Sequence, residues 1–212
     1  MANAAFWDNI AEGYAAKPVE NPEAFERKIV ITKGLMRAED VVLDIGCGTG
    51  SLALRLADSG GHLHGLDISK EMIRIARGKA TDQQVGNVSF HVGPFDDTFT
   101  VFEPGSLDGI CAYSLLHLVA DRPGALRQIF ELIKPGGFFV SSTVCLGNTW
   151  VPFGPILTVM RWMGKAPDIV RSVSTDTLVA EVKAAGFVDV QLPDVGAEKT
   201  VAFMVAKKPE VK

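Results

Sequence analysis

Short apolar runs and helix-like patterns alternate along most of the chain. Val41–Ile45 reads as a buried strand, and residues 51–58 follow as a helix. Residues 62–66 give a second strand, and 70–79 a second helix whose apolar face is Met72, Ile73, Ile75 and Ala76. Val88–Val92 and residues 107–112 are the third and fourth strands. Residues 123–133 return to helical spacing through Leu126, Ile129, Phe130 and Ile133. The run "KPGG" at 134–137 stops that helix, and 138–144 is a β-prone fifth strand. A helix over 175–185, a strand over 188–192 and a last strand over 200–206 close the pattern. Strands separated by helices of about ten residues pair in parallel through right-handed crossovers. The expectation is an α/β, doubly wound sheet with helices on both faces and ligands at the carboxyl ends of its strands.

Two regions break the alternation. Residues 1–40 read as a helical cap carrying Phe6, Trp7, Tyr14 and Phe25. Residues 146–173 are rich in apolar bulk, with Trp150, Phe153, Leu157, Met160 and Trp162, yet are interrupted by Pro and Gly. They suit a lid over a lipophilic acceptor, a dimer interface or a membrane contact. With 212 residues, 47% of them apolar, the chain is expected to form one domain over 1–212. A net charge of −4 without a basic stretch argues against nucleic acid as a partner. Three scattered cysteines suggest neither a disulfide framework nor a zinc ribbon. No signal-like start and no apolar run long enough for a transmembrane segment is apparent, so a cytoplasmic monomer or homodimer is expected.

The stretch "VVLDIGCGTGSLALRLADSG" at 41–60 carries the chemistry. Gly46, Gly48 and Gly50 follow the first strand, where bare backbone lets a ligand come close. A dinucleotide loop wants G-x-G-x-x-G, and Ser51 breaks that spacing. Asp44 precedes the glycines and would repel a pyrophosphate; it suits a ligand presenting an ammonium group. Asp67 ends the second strand in "HGLDIS", where a carboxylate can accept hydrogen bonds from both hydroxyls of a ribose. Ile68 and Met72 beside it suit an adenine face.

With "VLDIGCGTG" (42–50), "GLDIS" (65–69), "SLDGICAYSLLHLV" (106–119) and "LRQIFELIKPGGFFV" (126–140), the chain resembles the class I S-adenosylmethionine-dependent methyltransferases. The likeness is to their small-molecule branch, often labelled type 11 or ubiquinone/menaquinone-biosynthesis-like. It implies a Rossmann-like seven-stranded sheet with the last strand antiparallel, and S-adenosylmethionine as cofactor. It implies further that Asp44 and the Gly46–Cys47–Gly48–Gly50 loop hold the methionine portion and that Asp67 holds the ribose. Ala112, at the end of the fourth strand, is carried over as a cofactor neighbour. Tyr14 matches a family tyrosine in "WDxxAxxY" near the methionyl end. The family usually continues its third strand with Gly-Asp-Ala, whose Asp bonds the adenine amine. Here "HVGPFDD" puts Pro94 at that position. Either Asp96 or Asp97 substitutes, or the Phe95 backbone and apolar packing hold the base.

Methyl transfer from a sulfonium needs alignment and water exclusion above all, and a base only when the acceptor is protonated. His117, after the fourth strand, is the candidate base, with a strand-end structural role as the alternative. Tyr14 is a candidate to orient the acceptor or touch the cofactor, and Tyr113 lies nearby. His62 and His64 share a strand face, but with no third ligand in view a solvated edge strand is the simpler reading. Cys47 reads as packing, Asp121 as a helix N-cap, and Asp8 and Glu12 as solvated surface. The expected function is methyl transfer to a small hydrophobic or aromatic acceptor. A nicotinamide oxidoreductase and a catalytically silent cofactor-binding partner are the alternatives.

Overall fold

A computed structural model describes residues 4–148 and 172–210. Two helices, α1 (Ala4–Ala16) and α2 (Pro22–Lys33), precede the sheet. The alternating region runs β1 (Val41–Ile45), α3 (Ser51–Leu56), β2 (His62–Asp67), α4 (Lys70–Asp82) and β3 (Val88–Val92). After it come β4 (Leu107–Tyr113), a 3₁₀ turn at Leu116–Leu118, α5 (Arg122–Leu132) and β5 (Ile133–Val144). Beyond a second 3₁₀ turn (Leu146–Asn148) lie α6 (Thr175–Ala184), β6 (Val188–Gln191) and β7 (Val201–Lys207). Most of the apolar 146–173 segment falls outside the described residues.

The strands form one sheet in the order β3-β2-β1-β4-β5-β7-β6. Neighbours from β3 to β5 are parallel, and β7 runs antiparallel between β5 and β6. The order reverses between β1 and β4, so the loops leaving these two strands diverge and open a crevice at their carboxyl ends. Alternation within each strand sorts the core. Leu43, Ile45, Ile110 and Phe139 face α5 and α6, while Val42, Leu63, Val140 and Val205 face α2 and α3.

Local chemistry fixes the helix ends. Ser69, Asp121 and Ser174 each accept a backbone N–H two or three residues into α4, α5 and α6. The "KPGG" run does not separate helix from strand as the sequence suggested. It is an irregular insertion within β5: Leu107 pairs Ile133 but Gly109 already pairs Phe138. Gly136 takes φ +78° there, and the Lys134 ammonium donates to Asp108 Oδ1 at 2.7 Å.

His62 and His64 are not on an edge strand. β2 is paired on both sides, and β3 beyond it brings His91 and Ser89 alongside. His64 Nδ1 and His91 Nε2 share a hydrogen bond at 3.1 Å, and His62 Nε2 pairs with Ser89 Oγ at 2.9 Å. Phe102 closes over the pair, its ring centroid 4.8 Å from that of His64. Among the described residues no cluster of three His, Cys, Asp or Glu side chains is placed to hold a metal.

Candidate functional site

The crevice at the β1/β4 switch opens into a cavity of about 1380 Å³. Its floor is the glycine loop, whose three glycines are there for different reasons. Each has positive φ, +70° at Gly46, +52° at Gly48 and +76° at Gly50. A methyl group on Gly46 would strike Leu115, and one on Gly50 would strike Ala76 and Phe90, each at 2.9 Å. One on Gly48 would enter the cavity and meet only the Tyr14 ring, at 3.8 Å. Gly48 is therefore the position of close approach, and the other two glycines serve packing and chain direction. Cys47 and Gly50, expected at the cofactor, are absent from the cavity wall. The Cys47 side chain is buried in a small core with Ala53, Ile73 and Phe90. Ala112 is likewise fully buried in the sheet core, and Tyr113 and Ser114 line the cavity instead.

Asp44 is likewise absent from the cavity wall and sits in β1, two residues before Gly46. It is 1% exposed, its Oδ2 has no hydrogen-bond partner, and burial, with the Asp67 charge adding, holds its carboxyl well above the usual carboxylate range. A buried, unsatisfied carboxylate oxygen is costly unless a donor arrives from the cavity side. An ammonium group is such a donor.

Asp67 is oriented by the backbone on both sides. Its Oδ2 accepts from Gly48 N–H and its Oδ1 from Ser69 N–H, each at 2.9 Å. Both oxygens keep a second lone pair for a diol. Burial raises its carboxyl pKa, against the lowering effect of those two hydrogen bonds. Ile68 and Met72 continue the wall, and Gly93, Pro94 and Phe95 complete it where β3 ends. Asp96 commits Oδ1 to Thr98 N–H (3.0 Å) and Thr98 O–H (2.6 Å), while Gln128 Nε2 donates to its carbonyl at 2.8 Å. Asp97 is exposed at the rim.

On the other side of the glycine loop the wall is built from β4, β5 and α1. Trp7 and Tyr14 overhang it from α1, and Ser114, His117, Leu118 and Val144 form its back. The His117 Nδ1 is buried without a partner, and burial pulls the imidazole pKa down to about 4. Tyr14 remains 50% exposed at the mouth, with its phenol pKa raised first by burial and then by Asp67 and Asp44. The Tyr113 hydroxyl is committed elsewhere, bonded to Thr32 Oγ1 at 2.8 Å, so only its ring serves the cavity. Ser114 holds φ +55°, an uncommon conformation for a non-glycine residue, where β4 turns into the His117 segment.

The helical cap divides in two. α2 packs on the sheet through Ile29, and its Lys28 ammonium donates to Ser142 Oγ at 2.9 Å. Only α1 borders the cavity, and it is held there by Asp8, a residue expected at the solvated surface. Asp8 Oδ1 accepts from Ser69 O–H at 2.6 Å and from Glu71 N–H at 3.2 Å, at the start of α4. Glu12, expected to be idle surface as well, pairs with Arg74 of α4. Neither contact has a local sequence signal, because both partners lie about sixty residues away.

The donor set fits one class of ligand: a cation for Asp44, bare backbone at Gly48, a diol for Asp67 and an apolar slot for a flat base. Ser51 breaks the spacing that a dinucleotide loop needs, which speaks against the oxidoreductase alternative. Residues 37–183 match the methyltransferase domain family. The demethylmenaquinone methyltransferase of Leptospira interrogans is 32% identical over 192 residues, covering 81% of this chain and 76% of its own. The ubiquinone biosynthesis O-methyltransferase of Albidiferax ferrireducens is 32% identical over 103 residues, 49% of this chain and 40% of its own. Among solved structures, phosphoethanolamine N-methyltransferase 2 of Haemonchus contortus, in complex with phosphomonomethylethanolamine and S-adenosylhomocysteine, superimposes with a TM-score of 0.72. That likeness, at 18% identity, covers 88% of this chain and 53% of the other. Sheet order, site chemistry and relatives agree, and the chain belongs to the class I S-adenosylmethionine-dependent methyltransferases.

Proposed function

We propose that the chain methylates a small hydrophobic or aromatic acceptor at oxygen, carbon or nitrogen, with the acceptor entering between α1 and the ends of β4 and β5. The observation that carries this reading is the wall on that side. Trp7, Leu118 and Val144 are apolar, and the polar side chains among them are Ser114 and an uncharged His117 whose buried Nδ1 has no partner. Such a wall favours a flat or lipophilic molecule with a single hydroxyl or similar group to recognise. The relatives named for demethylmenaquinone and for ubiquinone biosynthesis support a quinone-type ring among such acceptors.

The cofactor supplies an electrophilic methyl group on a sulfonium. Asp44 and the Gly48 backbone would hold its methionine end, Asp67 the ribose, and Ile68, Met72, Pro94 and Phe95 the base. Tyr14 would close the mouth over the glycine loop. His117 would accept a proton or hydrogen bond from the acceptor. With its pKa near 4 it is uncharged at neutral pH but a weak base, so its contribution falls toward the lower end of the ~10²–10⁴-fold typical of general bases.

The test is transfer of labelled methyl from S-adenosylmethionine to three acceptor types: a demethylated naphthoquinol, a catechol and a small hydrophilic, non-aromatic amine. Turnover of a ring acceptor, reduced about 100-fold by His117→Ala with S-adenosylhomocysteine affinity unchanged, supports the reading. Turnover of the amine alone overturns it.

A further inference from the structure

The cavity continues past the place where the base belongs. Beyond Asp67 the same cavity is lined by Phe99 and Phe102 from the loop after β3 and by Gln128, Glu131 and Leu132 from α5. This lobe is shaped in advance by a chain of rings. Phe95 meets Phe99 at 5.8 Å, Phe99 meets Phe102 at 6.0 Å, and Phe102 rests edge-on against His64.

The wall separating base and lobe has no side chain fixed over an exocyclic amine at the position where the family carries its Asp. Pro94 has no N–H and no polar side-chain atom. Of the two carboxylates there, Asp96 holds Thr98 with one oxygen and Asp97 is exposed at the rim, so neither is closed over the place of the amine. With the ribose on Asp67 and the ring along Ile68 and Met72, the purine edge remote from the sugar faces this wall.

We infer that the 6-position of the adenine is unclamped, and that the lobe between the 95–104 loop and α5 is a subsite accepting a hydrophobic substituent on the exocyclic nitrogen. The inference rests on the cofactor reading and adds to it a selectivity for the donor: adenosyl ligands enlarged at N6 bind as well as the parent. The lobe's aromatic side takes the substituent, and Glu131 and Gln128 form its polar rim.

Calorimetric titration compares S-adenosylhomocysteine with N6-benzyl-S-adenosylhomocysteine on the full chain. A benzyl derivative bound within tenfold of the parent supports the subsite. A weakening of more than tenfold, with the parent still bound, overturns it and leaves the cofactor reading intact. Failure of the parent to bind removes both. Thr100→Trp provides the second arm, because Thr100 lies in the lobe and is exposed. It is expected to leave the parent's affinity within twofold and to weaken the benzyl derivative at least tenfold. Equal affinities for the benzyl derivative with and without this substitution would place the substituent outside the lobe and overturn the assignment.

Discussion

A glycine can be required by its neighbours, by its own torsion angles or by its ligand, and the loop after β1 separates these cases. Gly48 alone has open cavity above it, and its φ of +52° adds a conformational cost for any side chain. Gly48→Ala should cost about 1–2 kcal/mol of stability in thermal unfolding. It should weaken S-adenosylhomocysteine in calorimetry by at least tenfold; unchanged affinity would remove the close-approach assignment. Asp67→Asn is the sharper substitution. The two backbone N–H groups of Gly48 and Ser69 need two acceptor oxygens, and an amide offers one, turning its NH₂ against the other. A buried donor left unmet costs about 1–3 kcal/mol, and the ribose loses an acceptor as well. The placement of both residues on the cavity wall was legible in the sequence because their spacing to the strand ends is local. Asp8 was not, since the hydroxyl and amide it accepts from come from the start of α4, across the fold. Cys47, Gly50 and Ala112, expected at the cofactor, lie off the cavity wall for a different reason. Proximity in sequence to a ligand loop does not tell on which side of the backbone a side chain falls.

Elements position the cavity walls, and two of their joints are testable. α1 brings Trp7 and Tyr14 over the site and is fastened to α4 through Asp8 and through the Glu12–Arg74 pair. Asp8→Ala should raise amide hydrogen exchange along α1 and weaken the cofactor several-fold, without changing exchange in β1 or β4. The second joint is the ladder of His62, Ser89, His64 and His91 between β2 and β3, which carries Phe102 and the loop after β3. His64 is held to a pKa of about 4 by burial first and by His62 and His91 next, and His91 is lowered by burial and by Arg77. An unfolded histidine titrates near ~6.5, so below that pH the open chain takes up the proton first. Stability from this joint is complete above about 6.5 and is lost as pH falls through about 4. His64→Phe should flatten the fall in thermal midpoint across that range; an identical profile would show that the ladder is not its source. The strand pattern was read correctly from alternation. The neighbour of β2 could not be, because pairing order is fixed by crossovers and not by any strand's own residues.

For the whole molecule, the site is a meeting of two halves of the chain across the β1/β4 switch, and its electrostatics belong to both. Asp44 is held protonated-leaning by burial and by Asp67, while an ammonium ligand favours its ionised form. Binding should therefore release protons below the pH at which Asp44 ionises in the free protein, and affinity should rise with pH up to that point. Calorimetry in buffers of different ionisation enthalpy reads this directly, and Asp44→Asn should abolish the release. Binding heats independent of buffer would mean that Asp44 is already ionised before the ligand arrives.

The antiparallel β7 has a consequence for how the chain comes to its final state. Every cavity residue named above is present once Val144 has been made, yet one edge of β5, from Phe138 to Val144, waits for Val201–Lys207 to pair with it. Until then a nascent chain carries a nearly finished ligand site beside an open, apolar sheet edge, the kind of template on which chains join one another. The last strand thus acts as a seal applied after the working parts are in place. A chain interrupted shortly before residue 200 would keep that edge open while already holding every described residue of the cavity.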